Sequence, residues 1–301
     1  MTHPQLLPLK PKVCSGPVDG NVMPPSVTDE TRTGRTRIPR SRCLVVDILR
    51  LHQRNPTVAH NRYMQLADLA DARGRSPIRI SWSALFIKAW AEVSNRHSTI
   101  RQTWRDWPWG HIFQHRESVA NLAVNRQHDN EDWLFWGLVR SPERQSLVDI
   151  QSAIDAFNKA PIEPQFHKQL KLASLPTFAR RFIWWWNLNI AGEKRGKRLG
   201  TFSLTTISGR GAEIQHPPTV MTTGLTFGPL DPDGRMKVTV VYDHRLMDGS
   251  FIANRLLDLE AQLTGAVLAE LRTLTQSEPS SRNFEQRPQP GPTLSHDKNA
   301  A

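Results

Sequence analysis

The chain has 301 residues, 38% hydrophobic and 22% charged, enough for one large or two small domains with a buried core. Its 39 Lys and Arg against 28 Asp and Glu give a formal charge of +11; no nucleic-acid-binding motif accompanies that excess, so it reads as a solvated basic surface with no specific nucleic-acid partner. Cys14 and Cys43 are too few for a disulfide framework and lack metal-ligand spacing, no apolar signal core opens the chain, and no stretch reaches the ~18 apolar residues of a membrane span, which together predict a soluble, cytoplasmic protein without a metal.

Residues 1–36 are rich in Pro, Gly, Ser, Thr and Asp without periodicity and predict a disordered leader. A helical pattern runs from Leu44 to Leu51 and is stopped by Asn55-Pro56. Asn61 to Leu69 alternates as a strand does. Ser81 to Val93 is an amphipathic helix with Leu85, Ala89 and Val93 on one face and Ser81 as its N-cap. Strands are predicted over Ser118–Asn125 and Trp133–Val139, then a helix over Ser146–Phe157. The segment Phe166–Arg198 joins an aromatic run (Phe178, Phe182, Ile183, Trp184, Trp185, Trp186) to a basic knot of Lys194, Arg195, Lys197 and Arg198. It reads as a core helix followed by a solvated loop. The competing readings are a substrate lid, phosphate binding and, more weakly, contact with a membrane surface. Three more strands, Gly200–Ile207, Val220–Phe227 and Met236–Tyr242, precede a long helix, Phe251–Leu271. The tail, 276–301, is polar, Pro-rich and expected to be disordered. The expected organisation is therefore one domain, 37–275, of class α+β: a two-layer sandwich in which helices pack on one face of a mixed sheet.

The chemistry concentrates after the last strand, where Val238–Tyr242 runs into Asp243-His244-Arg245-Leu246-Met247-Asp248-Gly249-Ser250. An imidazole titrates near neutrality and can take a proton from a thiol, and general-base help contributes about 10²–10⁴ in rate. The oxyanion of an attacked thioester needs a fixed donor, contributing about 10²–10³ more, and the run Gly200-Thr-Phe-Ser-Leu-Thr-Thr-Ile-Ser-Gly209 offers several hydroxyls. Each feature alone is ordinary: a histidine before a turn, an Asp-Gly pair, a Thr-rich strand.

In order along the chain they carry a resemblance. DHRLMDGS, followed by an apolar helix, resembles the DHRxxDG signature of the acyltransferase (E2) catalytic domains of 2-oxoacid dehydrogenase complexes, relatives of chloramphenicol acetyltransferase. GTFSLTTIS is similar to that family's GTFTISNLG strand, IQHPPTVMTTGLTFG to its NPP-plus-strand segment, and SWSALFIKAWAEV and RSPERQSLVDIQSAI to two of its helices. The resemblance spans Arg37 to Leu271. It implies a chloramphenicol acetyltransferase-like fold and a coenzyme A-dependent acyltransferase, with acyl-coenzyme A as substrate and a homotrimer or larger assembly whose sites form between subunits. It further implies that His244 is the general base, that Asp248 holds the local geometry, with or without an arginine partner, that Thr205 donates to the oxyanion, and that Gly249 permits a tight turn. It names no coenzyme A-binding residues. The chain departs from the family in several places. Nothing before residue 37 matches a lipoyl domain or a peripheral-subunit-binding domain, and there is no lipoyl attachment site. The segment before GTFSLTTIS is longer and more aromatic. TTIS stands for SNLG, so the oxyanion donor is Thr205 or Thr206. These departures leave the acyl acceptor open between a dihydrolipoyl-like thiol and another group, and keep a non-catalytic scaffold as the alternative function.

Overall fold

A computed structural model describes residues 34–276, and the folded unit begins at Ile38. The expected leader and tail lie outside the described residues, save 34–36 and 276. Nine α-helices and eight strands are found among the described residues. A six-stranded mixed sheet has the order β1 (Thr57–Gln65), β8 (Arg235–Asp243), β7 (Thr223–Leu230), β6 (Phe202–Leu204), β4 (Val119–His128), β5 (Glu131–Arg140). β6 is parallel to both its neighbours and the remaining pairs are antiparallel. A separate hairpin pairs β2 (Gln102–Arg105) with β3 (His111–Gln114).

The main helical layer consists of α3 (Trp82–Arg96), α4 (Leu147–Lys159) and α8 (Gly249–Gln262), packed on one face of the sheet. α3 is the apolar centre of that layer. Ser81 caps it by accepting from the Ala84 N–H, and Leu85, Phe86, Ala89, Trp90 and Val93 are fully buried. Phe86 stacks on Phe227 of β7 at 4.5 Å, and the Trp90 indole donates to Thr223 at the start of the same strand. α4 begins with a capping box in which Ser146 and Asp149 satisfy each other's backbone. Along β5, Trp133, Phe135, Gly137 and Val139 are buried toward this layer, while Trp136, Leu138 and Arg140 alternate to the reverse face. Segments from α1 (Arg40–His52), α5 (Ile162–Ser174), α6 (Thr177–Asn189) and α7 (Glu193–Leu199) share a cavity with those reverse-face side chains.

Two elements extend what the sequence pattern predicts. The strand expected over Asn61–Leu69 ends at Gln65, and α2 (Ala67–Arg75) follows at once. Met64, Leu66, Leu69 and Ala72 are all buried, so the spacing of core residues changes from two to three at Leu66, the point where strand gives way to helix. The helix expected over Phe251–Leu271 continues from α8 through one π-helical stretch, Leu263–Val267, into α9 (Leu268–Gln276). No helix among the described residues is long and apolar enough to cross a membrane.

Candidate active site

β8 carries Val238, Val240, Val241 and Tyr242 into the core and delivers His244 just beyond its end. Three backbone bonds fix the turn: the Asp243 N–H donates to the Thr222 carbonyl, the His244 N–H to Pro56, and the Leu246 N–H to Asp243. The His244 ring is 48% exposed, and its Nδ1 lies 3.0 Å from the Met247 carbonyl oxygen. A carbonyl only accepts, so the proton sits on Nδ1 and Nε2 presents its lone pair outward. This is the tautomer a general base requires.

The aspartates of the motif have different jobs. Asp248 is the N-cap residue of α8, 84% exposed, with Oδ1 3.7 Å from His244 Nδ1. That distance is too long for a hydrogen bond and makes Asp248 a screened electrostatic neighbour of the ring. No arginine pairs with it among the described residues. Arg245 instead clasps Asp243: its backbone N–H and Nε reach Oδ1 at 3.0 and 2.9 Å, and Nη2 reaches Oδ2 at 2.6 Å. The Asp243 carboxylate is thus fully engaged beneath the turn, and Arg245 also donates to Asn55 and lies over the Trp104 ring. Gly249 has no left-handed φ, so turn conformation is not what requires it there. A Cβ at this position would stand 3.0 Å from His60 Nε2, so close approach is the reason for glycine. Tyr242 packs beside the ring of His244 at 5.8 Å, and His60 packs on Tyr242 at 5.5 Å. Burial, then the Asp248 charge, raises the Tyr242 phenol above its ordinary range. Neither residue stands out in the sequence, because a tyrosine and a histidine in strands are common core companions.

Thr205 follows β6, and its backbone N–H donates to Leu225. Its hydroxyl has no partner among the described residues, whereas the Thr206 hydroxyl donates to the Phe227 carbonyl and accepts from the Ser208 N–H. Of the two candidates, Thr205 alone has a free donor. It does not meet His244 within the chain. Leu204 pairs with Leu225 and Leu225 with Val240, so Thr205 stands beside Thr239, two strands and five residues from His244, roughly 15–20 Å away at ~3.3 Å per residue and ~4.8 Å per strand.

Two cavities flank this region. The smaller, about 290 Å³, runs from Asp243 and Arg245 to Thr103, Trp184 and Arg195; the larger, about 750 Å³, lies on the reverse face of the sheet. Trp184, Val220 and Met221 line both. Here the expectation for Phe166–Arg198 needs correction. Trp184 is buried, but Phe178, Phe182, Trp185 and Trp186 are exposed, and the basic knot is helix α7, with Arg195 buried, instead of a solvated loop. Asn187 draws the knot inward by accepting from Arg198, and the Asn121 side chain, in the adjacent strand, donates to the Leu199 carbonyl. Among the described residues no cluster of three or more His, Cys, Asp and Glu gathers as a metal site would.

This arrangement of sheet and helices is shared with solved structures. A probable dihydrolipoamide acetyltransferase from Listeria monocytogenes 4b F2365 matches over 82% of this chain and 97% of its own, at 13% identity and a TM-score of 0.56. A truncated catalytic core of the 2-oxoacid dehydrogenase multienzyme complex from Thermoplasma acidophilum matches over 77% and 99%, at 15% identity and a TM-score of 0.57. The fold is that of the E2 acyltransferase cores. The dihydrolipoamide acetyltransferase of Azotobacter vinelandii shares it over 82% of this chain and all of its own, at 16% identity and a TM-score of 0.53. At these identities the likeness to the E2 cores is one of fold. No protein-family model and no curated protein sequence matches the chain.

Proposed function

We propose that this protein is a coenzyme A-dependent acyltransferase in which His244 is the general base. The observation that carries the reading is the Nδ1–H donated to the Met247 carbonyl, which leaves Nε2 as an exposed acceptor at the end of a rigid strand. Nε2 takes the proton of an attacking thiol, the sulfur adds to the thioester carbonyl, and the tetrahedral oxyanion collapses with expulsion of the second thiolate, which recovers the proton from Nε2. Thr205 supplies the oxyanion donor, and because it lies far from His244 in its own chain it serves the histidine of a neighbouring subunit in an oligomer. Asp248 stands beside the ring at the N-cap of α8. Coenzyme A is a substrate here. The larger cavity supports that assignment, since its apolar lining of Leu44, Ile48, Leu138 and Leu172 meets Lys168, Lys194 and Arg198, which suit a pantetheine arm ending in phosphates.

The test is thiol release from a panel of acyl-coenzyme A thioesters, with dihydrolipoamide and simple alcohols as acceptors. His244→Ala should lower kcat/KM by about 10²-fold or more with the best pair. A folded wild-type protein that turns over no pair and binds no coenzyme A sinks the proposal in favour of a scaffold that keeps the fold.

A further inference from the structure

Arg195 is only 5% exposed and lines the smaller cavity, beside the Asp243–Arg245 pair that supports His244. One of its N–H groups donates to the Val220 carbonyl at 2.9 Å; Nε and Nη1, which carry three of its five donors, have no partner. The Trp184 indole N–H, in the same lining, is also buried and unpaired. Every buried unpaired polar side-chain atom of this lining is therefore a donor.

The three acids of the lining are already engaged: Asp243 by Arg245, Asp47 by Arg180, and Asp106 by the Trp104 indole N–H. Burial first, then the charge of Arg105, itself buried and with Nε unpaired, weakens Arg195's hold on its proton, and Asp243 offsets this only in part. His115, packed against the same helix at Gly196, is neutral. Arg50, Arg54 and Arg181 at the rim have no acidic partner among the described residues. Buried guanidinium donors without acceptors are among the most unfavourable arrangements a folded chain retains, and they are a common basis of oxyanion recognition.

We infer that this cavity receives a small oxyanion, the carboxylate or phosphate end of a substrate, held by Arg195 and Trp184 beside the turn that carries His244. At about 290 Å³ the space fits a compact organic acid or a single phosphate group. The inference deepens the acyltransferase reading by giving one substrate an anionic end, and as substrate chemistry it rests on that reading; the anion site itself is tested by binding alone.

The 301-residue chain is titrated with succinate, inorganic phosphate and, as the uncharged control, succinamide. Binding is followed by tryptophan fluorescence, because Trp104, Trp184 and Trp185 line the cavity, and by the rise in Tm. Succinate or phosphate should bind saturably and succinamide should not; the stronger anion identifies the source. Arg195→Gln should weaken the preferred anion by at least 10-fold. Should that variant not fold, Trp184→Phe, which keeps the ring and removes the N–H, should weaken it several-fold. No saturable binding of either anion to wild type, or equal binding by the folded variants, overturns the site. His244→Ala should bind the anion as wild type does. Saturable anion binding in a protein without thioester turnover would retain the anion site and remove acyl transfer; turnover that depends on His244 without anion binding would do the reverse.

Discussion

His115 shows how one buried imidazole shapes the acid response of the molecule. Its Nε2 meets the Thr103 hydroxyl at 3.1 Å and it is 1% exposed; burial first, then the charges of Arg195 and Arg105, push its pKa down to about 3. The unfolded chain therefore binds the proton more readily than the folded one at every pH between about 3 and 6.5. Stability is intact above pH 6.5 and falls as the pH drops toward 3, by about 3 kcal/mol at pH 4 from this residue alone. His115→Gln should flatten that arm of the urea-midpoint profile between pH 7 and pH 4, whatever it does to the midpoint at neutrality. An unchanged slope would mean that His115 is protonated in the native state. The sequence offers no hint of this role, since one histidine just past a short hairpin strand is indistinguishable from a surface residue until its neighbours are known.

Helices α1 and α6 are joined by an ion pair rather than by apolar packing alone. Arg180 donates to the Asp47 carboxylate and also to the Leu175 carbonyl, and both side chains are buried. Asp47→Ala strands a guanidinium and should cost about 3–5 kcal/mol in chemical denaturation, whereas the pair Asp47→Leu with Arg180→Met should recover most of it, because the desolvation of both charges disappears together. A single variant as stable as the double would show that the pair is solvated. The elements themselves were legible to different degrees. α3 and β8 follow directly from Leu85, Ala89 and Val93 at helical spacing and from the β-branched run before Asp243. β6 is far shorter than Gly200–Ile207 predicts, since Thr206 turns its hydroxyl to the Phe227 carbonyl and leaves the ladder. The β2–β3 hairpin carries too few apolar residues at period two to announce itself, and two of its buried side chains, Arg105 in β2 and His115 just past β3, are polar. α7 was illegible because four basic residues in five positions normally mean solvent. The candidate site was half legible: His244, Asp248 and Thr205 come from motif order, but the partnership of Asp243 with Arg245, the free hydroxyl at Thr205 and the cavity around Arg195 depend on residues distant in sequence.

At the scale of the whole molecule, the separation of Thr205 from His244 makes an assembly prediction. If each site takes its base from one chain and its oxyanion donor from another, chains carrying His244→Ala and chains carrying Thr205→Val should each be nearly inactive alone. Random co-assembly should restore about a quarter of wild-type activity, the fraction of interfaces that pair an intact His244 with an intact Thr205. Mixed oligomers verified by native mass spectrometry that stay inactive would place both groups in one chain. The sheet bears on how such an assembly can form. β1 and β5 are its two edges, but Gln169 of α5 bridges the outward backbone of β5, accepting from the Trp136 N–H and donating to the Trp136 carbonyl at 2.7 Å. A strand arriving there would have to evict that amide, and at the other edge the Glu260 carboxylate of α8 likewise already accepts from the Gln65 N–H of β1. Each edge of the sheet thus meets an incoming strand with a side chain already bonded to its backbone, which works against the growth of a fibre by strand addition.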